Sequence, residues 1–269
     1  MTRPPVALTI AGSDPSGGAG VQADLKTFSA LGAYGTSVLT ALTAQSTTGV
    51  TGVHVVPTAF VTEQLETLVA DVRIDAVKIG MLATAELAGA VADFLRAHPC
   101  PAVVLDPVMV ATSGDRLLAD DAVEALRALL PLASVVTPNL PEAAGLLGVA
   151  EAADEAEMLA QAHALRALGA QRVLIKGGHR AGNGAASDAL AGPDGVTWLR
   201  APWVGTTNTH GTGCSLSSAL AALRPQRETW VDTARDAKEW LTGALAAADT
   251  LEVGHGHGPV HHFHRLWDH

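Results

Sequence analysis

Short runs rich in β-branched residues alternate with longer stretches whose apolar positions recur at helical spacing, and this alternation organises most of the chain. Strands are predicted over 6–10, 37–42, 76–79, 102–105, 134–137 and 172–175, and helices over 21–30, 58–68, 84–97, 120–130 and 155–168. Strands and helices in this order predict an α/β fold: a mostly parallel central sheet with helices on both faces, its site gathered at one edge of strand ends. From Ser187 the pattern changes. Asp188-Ala189-Leu190, the turn Gly192-Pro193-Asp194-Gly195 and Val196-Thr197-Trp198-Leu199 predict a small β-hairpin. Helices resume over 213–223 and 230–251, and 254–258 followed by Pro259 reads as a closing loop.

At 269 residues the chain is within reach of one large α/β unit, so a single domain over 1–269 is expected. An apolar share of 48% and a charged share of 16% suit a soluble enzyme, and no apolar run is long enough to span a membrane without a charge. The opening Met1-Thr2-Arg3-Pro4-Pro5 leads directly into Val6-Ala7-Leu8-Thr9-Ile10, which reads as a first strand and not a signal peptide. Cys100 and Cys214 are too few for a disulfide framework, which fits the cytoplasm. A formal charge of −10 makes nucleic acid a poor partner, although a helix end can still hold a small phosphate.

The most informative stretch is Thr207-Asn208-Thr209-His210-Gly211-Thr212-Gly213-Cys214-Ser215, which opens a helix of small residues. Glycines on either side of Thr212 let successive amides converge at a helix N-terminus, where the dipole favours an anion. The alternative is an ordinary turn capped by Thr212 or Thr209. Cys214, in the first turn, is expected to have a lowered thiol pKa and to take a proton from an attacking hydroxyl, unless it only fills space. Cys100 is assigned packing alone.

Ala11 to Asp24 joins the first strand to the first helix without a Walker lysine, and its glycines permit close approach of a flat ligand. Asp24 is a candidate on the substrate side, against the alternative of a solvated helix residue. Gln45 offers a donor and an acceptor together, which suits an aminopyrimidine edge, or else it is a surface residue. Met81 and Val108 offer apolar walls. Asp106 and Glu142, at strand ends, suggest a magnesium ion held partly through waters; alternatively Glu142 favours the helical turn after Pro141. Lys176, before Gly177-Gly178-His179, is placed to reach a polyphosphate, or else lies in solvent. The histidines of the tail, His255, His257, His261, His262, His264 and His269, are read as structural or exposed, with no site geometry for a metal.

Taken together, Ile10-Ala11-Gly12-Ser13-Asp14, Ala44-Gln45, Lys78-Ile79-Gly80-Met81, Asp106-Pro107-Val108-Met109, Thr137-Pro138-Asn139-Leu140-Pro141-Glu142, Lys176-Gly177-Gly178-His179 and Asn208 to Cys214 occur in the order found in a known family. Over nearly its whole length the chain resembles the bacterial hydroxymethylpyrimidine/phosphomethylpyrimidine kinases of thiamine biosynthesis, within the ribokinase-like superfamily. The resemblance implies a ribokinase-like fold and a kinase that phosphorylates a hydroxymethylpyrimidine and then its monophosphate with ATP and magnesium. It implies that Gln45 reads the pyrimidine while Gly12, Ala19, Met81 and Val108 line its pocket, with Asp24 on the same side. Asp106, Asn139 and Glu142 organise magnesium and the nucleotide phosphates, and Lys176 and Thr209 support ATP. Gly211, Thr212, Gly213 and Cys214 form the anion hole, with Cys214 as base. Relatives commonly pair, which implies a homodimer, and adenine is expected in an apolar slot near the last helices. Two rivals stay open at this point: a pyridoxine or pyridoxal kinase, and a catalytically silent pyrimidine-binding module.

Overall fold

A computed structural model describes residues 3–109, 122–178 and 185–267. In chain order the strands are β1 (Val6–Ala11), β2 (Tyr34–Leu39), β3 (Ala41–Ser46), β4 (Gly49–Val55), β5 (Ala76–Ile79), β6 (Val103–Leu105), β7 (Val135–Val136), β8 (Val173–Lys176), β9 (Ala185–Gly192) and β10 (Gly195–Pro202). The helices are α1 (Gly20–Ala30), α2 (Thr58–Val69), α3 (Ala85–Ala97), α4 (Ala122–Arg127), α5 (Leu140–Leu147), α6 (Glu155–Ala167), α7 (Thr212–Leu223) and α8 (Trp230–Ala246). Strands β2-β1-β5-β6-β7-β8 lie side by side in parallel, and β9 and β10 complete the sheet antiparallel. The expected parallel sheet and the expected hairpin are therefore joined in one mixed sheet.

Alternation along each strand sends neighbouring side chains to opposite faces. Leu8 and Ile10, Val77 and Ile79, and Val103 and Leu105 pack on one face with Val61, Leu87 and Leu146 of α2, α3 and α5. Ala7, Ala76, Val104 and Leu174 pack on the other, with Phe28 of α1, Leu220 of α7 and Trp240 of α8. The same alternation turns Thr9 and Lys78 towards α1 and α7.

Two regions differ from the periodicity reading. The run 37–42 is not one strand: it breaks at Thr40, whose hydroxyl donates to the Met81 carbonyl at 2.7 Å and whose amide donates to Ala11 at 3.0 Å. Beyond this corner the chain leaves the main sheet and pairs β3 with β4 as a separate hairpin, with an irregularity between Ala44 and Gln45. Helix α5 is an additional element. Asn139 Oδ1 accepts from the Glu142 amide and Glu142 Oε2 from the Asn139 amide, both at 2.8 Å, so a capping box starts it, and left-handed Gly148 ends it. The predicted helix over 120–130 is described from Ala122, and its Asp120 lies outside the described residues.

The histidine-bearing tail folds back onto the helices. His261 and His262 are buried, and His262 Nε2 lies 3.0 Å from Ser215 Oγ of α7. These two are structural, whereas His255 and His257 are exposed and His269 lies outside the described residues. Among the described residues no helix is long and apolar enough to cross a membrane.

Phe28 is fully buried where α1 meets the sheet. Phe28→Ala is expected to cost about 3–5 kcal/mol through lost burial and the cavity left behind, read as a lower midpoint in urea unfolding.

Candidate active site

The carboxyl ends of β1, β5, β6, β7 and β8 open, with the hairpin β3–β4 and the start of α7, into one cavity of about 640 Å³. That edge is where open parallel sheets present ligands. Gln45, Gly12, Ala19, Met81 and Val108 all line it, as do Asn139, Glu142, Asp106, Lys176, Thr209 and Gly211 to Cys214. Gln45 is half-buried on β3, with Thr43 Oγ1 at 3.2 Å from its amide oxygen. Gly12 and Met81 are close neighbours in the lining: a Cβ on Gly12 would stand 2.5 Å from Met81 Cε and displace the end of that side chain.

Helix α7 opens on the left-handed Gly211, φ +76°, so no side chain at the N-cap accepts from its first-turn amides. A Cβ on Gly211 would lie 1.7 Å from the Gly18 carbonyl oxygen, and one on Gly18 would lie 2.3 Å from the His210 ring. The two glycine loops thus touch through backbone. A side-chain contact fastens them: His210 Nε2 meets Asp14 Oδ2 at 2.7 Å, and Asp14 also accepts from the Ala19 amide at 2.7 Å and from Ser16 Oγ at 2.7 Å. Burial works to raise the Asp14 pKa, but the hydrogen bonds from His210, Ser16 and Ala19 prevail and bring it down to about 2.

Across the cavity, Lys176 Nζ lies 2.9 Å from Asp106 Oδ1 and 3.6 Å from Glu142 Oε2. Asp106 also accepts from Thr137 Oγ1 at 3.0 Å and Ser217 Oγ at 3.2 Å. Burial disfavours its charge, yet Lys176 and Lys78 hold its carboxyl below the usual range. Glu142 goes the other way: burial, reinforced by the negative charge of Asp106, outweighs Lys176 and pushes it up to about 7. The solvent alternative for Lys176 is thereby set aside. Gly213 leaves room for this pair, since a Cβ there would sit 3.3 Å from Lys176 Nζ.

Two expectations need correction. Asp24 neither binds in the cavity nor is solvated: it is fully buried on α1, with Lys78 Nζ at 2.8 Å, Thr9 Oγ1 at 2.6 Å and Ser218 Oγ at 2.6 Å. Its oxygens are occupied by these partners, which leaves none for substrate. Cys214 does open onto the cavity, but its thiol is not lowered. Burial pushes it up to about 11, against the opposing pull of Lys78 and a hydrogen bond from the Gly20 amide.

Sequence reasoning missed other polar groups of the cavity wall. Lys238 Nζ meets Asp188 Oδ2 at 2.6 Å, and Asp188 Oδ1 accepts from the Gly177 amide at 3.0 Å. They flank Trp203, Val204, Leu241 and Leu245, which form the apolar wall near the last helices. No local pattern marks Asp188 and Lys238, because fifty residues separate them. Asp14 and His210 stood inside motif blocks without a role. His179 lies outside the described residues.

Gly211→Ala is expected to lower turnover about a hundredfold by displacing the cradle, measured as kcat with folding checked by circular dichroism. Asp14 has a folded pKa of about 2 against an ordinary 3.8, so its contribution to stability is complete above the unfolded value and disappears as pH falls through about 2. Urea titrations of the chain and of Asp14→Asn are therefore expected to differ by about 1–2 kcal/mol more at pH 7 than at pH 2.

Residues 14–261 match the family described as phosphomethylpyrimidine kinase. The chain is 58% identical over 262 residues to the hydroxymethylpyrimidine/phosphomethylpyrimidine kinase of Salmonella typhimurium, covering 97% of this chain and 98% of that one. The Escherichia coli protein of the same name is also 58% identical over 262 residues. Among solved structures, a Bacillus subtilis pyridoxal kinase in complex with ADP superposes with a TM-score of 0.90 at 36% identity, covering 98% of this chain and all (100%) of that one. A Clostridium difficile phosphomethylpyrimidine kinase superposes at 0.79 with 38% identity, covering 90% and 99%. The fold is that of these ribokinase-like vitamin kinases, and the chain belongs to the phosphomethylpyrimidine kinase family.

Proposed function

We propose that this chain is an ATP-dependent kinase that phosphorylates 4-amino-5-hydroxymethyl-2-methylpyrimidine and then the monophosphate it has made, giving the diphosphate used in thiamine biosynthesis. The observation that carries this reading is a single cavity in which Gln45 shares space with the α7 cradle, Lys176 and Asp106. Relatives of 58% identity carry the hydroxymethylpyrimidine/phosphomethylpyrimidine kinase name, which favours this substrate over pyridoxal. The family match and the intact charged residues likewise argue against a silent module.

In this reading the Gln45 amide pairs with the aminopyrimidine edge, between Met81 and Val108, and the nucleotide lies along the wall of Leu241 and Leu245. The substrate hydroxyl oxygen bonds to the γ-phosphorus, the bond from that phosphorus to the β-bridging oxygen breaks, and ADP leaves. Amides of Gly213 and Cys214 and the dipole of α7 take up charge on the migrating group, while Lys176 neutralises the nucleotide phosphates. Asn139 sets Glu142 through the capping box.

Magnesium fits this site. Asp106 and Glu142 present hard oxygen donors on either side of Lys176, and among the described residues no cluster of three metal-binding side chains gathers. These two would therefore hold the ion largely through waters and phosphate oxygens. When bound, it supplies charge neutralisation at the phosphates.

Cys214 is placed to receive the hydroxyl proton, but a thiol at about 11 is ionised in only roughly one molecule in a thousand at pH 8. The second step needs it less, since a phosphate monoester has a second pKa of about 6 and arrives ionised. The reading further takes the chain as one domain, working in the cytoplasm as a homodimer; the free cysteines and the exposed Leu42, Val53 and Phe60 support the last two points.

With pyrimidine, ATP and magnesium, mass spectrometry of the products is expected to find one and then two phosphates added, and much slower turnover of pyridoxal. No magnesium-dependent phosphorylation of the pyrimidine would overturn the function. Because the thiolate fraction grows with pH up to about 11, single-turnover rates of the first step are expected to rise about tenfold per unit between pH 7 and 9. The second step is expected to stay flat, and Cys214→Ala to slow the first by about a hundredfold and the second far less; equal losses in both would remove Cys214 as base.

A further inference from the structure

Lys78 takes no part in the phosphoryl transfer described above, although it is among the residues that line the cavity. It is fully buried, on a strand whose neighbours Val77 and Ile79 face the opposite core. Its ammonium is fixed from one side by Asp24, at 3.0 Å to Oδ1 and 2.8 Å to Oδ2. Asp24 is in turn held by Thr9 Oγ1 and by Ser218 Oγ, each at 2.6 Å. Ser218 follows Cys214 by four residues, one turn along the same face of α7. Gly80 lets the chain pass this ammonium, since a Cβ there would stand 2.8 Å from Nζ.

We propose that Lys78 is a positioning residue for phosphoryl transfer: locked to Asp24 and through Ser218 to α7, its ammonium supplies fixed positive charge beneath Cys214 and the anion cradle. Asp24 serves the site through Lys78 and not by touching substrate. The charged groups around Cys214 are Lys78 from β5, Asp24 from α1, Asp106 after β6 and Lys176 from β8. Of the two cations, Lys176 is partly exposed and placed to engage nucleotide, whereas Lys78 is fully buried and its ammonium is held by Asp24. Its charge is therefore present before any ligand arrives, which is the condition for stabilising charge that develops only during transfer. A cation in a dry site also acts more strongly than one in water. The inference rests on the phosphotransfer reading of the cavity.

The test compares alkylation of Cys214 by anionic iodoacetate and neutral iodoacetamide, resolved by peptide mass spectrometry in the full chain without ATP or pyrimidine. The ratio of the two rates cancels thiolate fraction and access and leaves the local charge. Lys78→Met is expected to lower the Cys214 ratio about fivefold, with the Cys100 ratio unchanged because Cys100 lies beyond the amino end of β6. Loss of fold is recognised by both cysteines reaching one common ratio. In that event Lys78→Gln, whose side-chain amide can still donate to Asp24 in place of the ammonium, is read instead, with the same fall expected. An unchanged or higher Cys214 ratio in the folded variant would overturn the role of Lys78. Failure to phosphorylate the pyrimidine would undo the functional reading and leave this ratio to stand.

Discussion

Helix α7 rests on two buried lysine–carboxylate pairs, and the position of every group in the cradle depends on that floor. Adjacent serines make the connection: Ser217 Oγ donates to Asp106 at 3.2 Å and Ser218 Oγ to Asp24 at 2.6 Å. Asp106 pairs with Lys176 and Asp24 with Lys78, so one helical turn is tied to β8 and β5 at once. Charges this dry are tolerable only while every partner is in place, which makes displacement of any member expensive. Where the helix meets the two pairs its side chains are the small Ser217 and Ser218, while Leu216, Leu220 and Leu223 fill the core further along. Larger side chains at Ser217 or Ser218 would lift Gly213 and Cys214 away from the carboxylates.

From above, the cradle is set by backbone contact. Gly211 sits in a left-handed conformation against the Gly18 carbonyl, and the Asp14–His210 contact locks the loop after β1 to the loop before α7. The pyrimidine side joins the same assembly, because Ser13 Oγ accepts from the Thr43 amide at 3.2 Å and Thr43 Oγ1 donates to the Ser13 carbonyl at 2.9 Å. The hairpin that carries Gln45 is thereby registered on the loop that touches the anion cradle. On the proposed function, the groups for substrate recognition and for phosphate binding are therefore joined by one continuous set of short contacts.

Most of the sheet was legible because its buried strands are short β-branched runs between helices of clear period, as with Val103–Leu105 before α4 and Val173–Lys176 after α6. The hairpin β3–β4 was not, since β4 is exposed along nearly its whole length and Gly49 and Gly52 interrupt its pattern. Site residues at strand ends and in the glycine loop were legible for a related reason: a polar side chain ending an apolar run stands out locally. Asp24 misled because a carboxylate in the first helical turns is ordinarily solvated, and its partners Thr9, Lys78 and Ser218 are distant in sequence. Cys214 misled because the helix-end rule weighs only the dipole and amides, whereas here desolvation in the cavity wall outweighs both Lys78 and the Gly20 amide.

The charge balance explains how a chain of formal charge −10 can hold a polyphosphate. Lys78 and Lys176 are each paired with a carboxylate, so the floor carries little net charge at long range while its fixed ammonium groups still act at the short distances of the cradle. Oriented amides and the α7 dipole add to that local attraction for an anion without needing a counterion. Glu142, pushed up to about 7 by burial and by Asp106, is the carboxylate least committed to its charge. Asp106, by contrast, is held charged by Lys176, Lys78, Thr137 and Ser217. The two carboxylates beside one lysine are thus shifted in opposite directions, because Asp106 has the cations and hydroxyl donors while for Glu142 burial and the neighbouring negative charge outweigh Lys176.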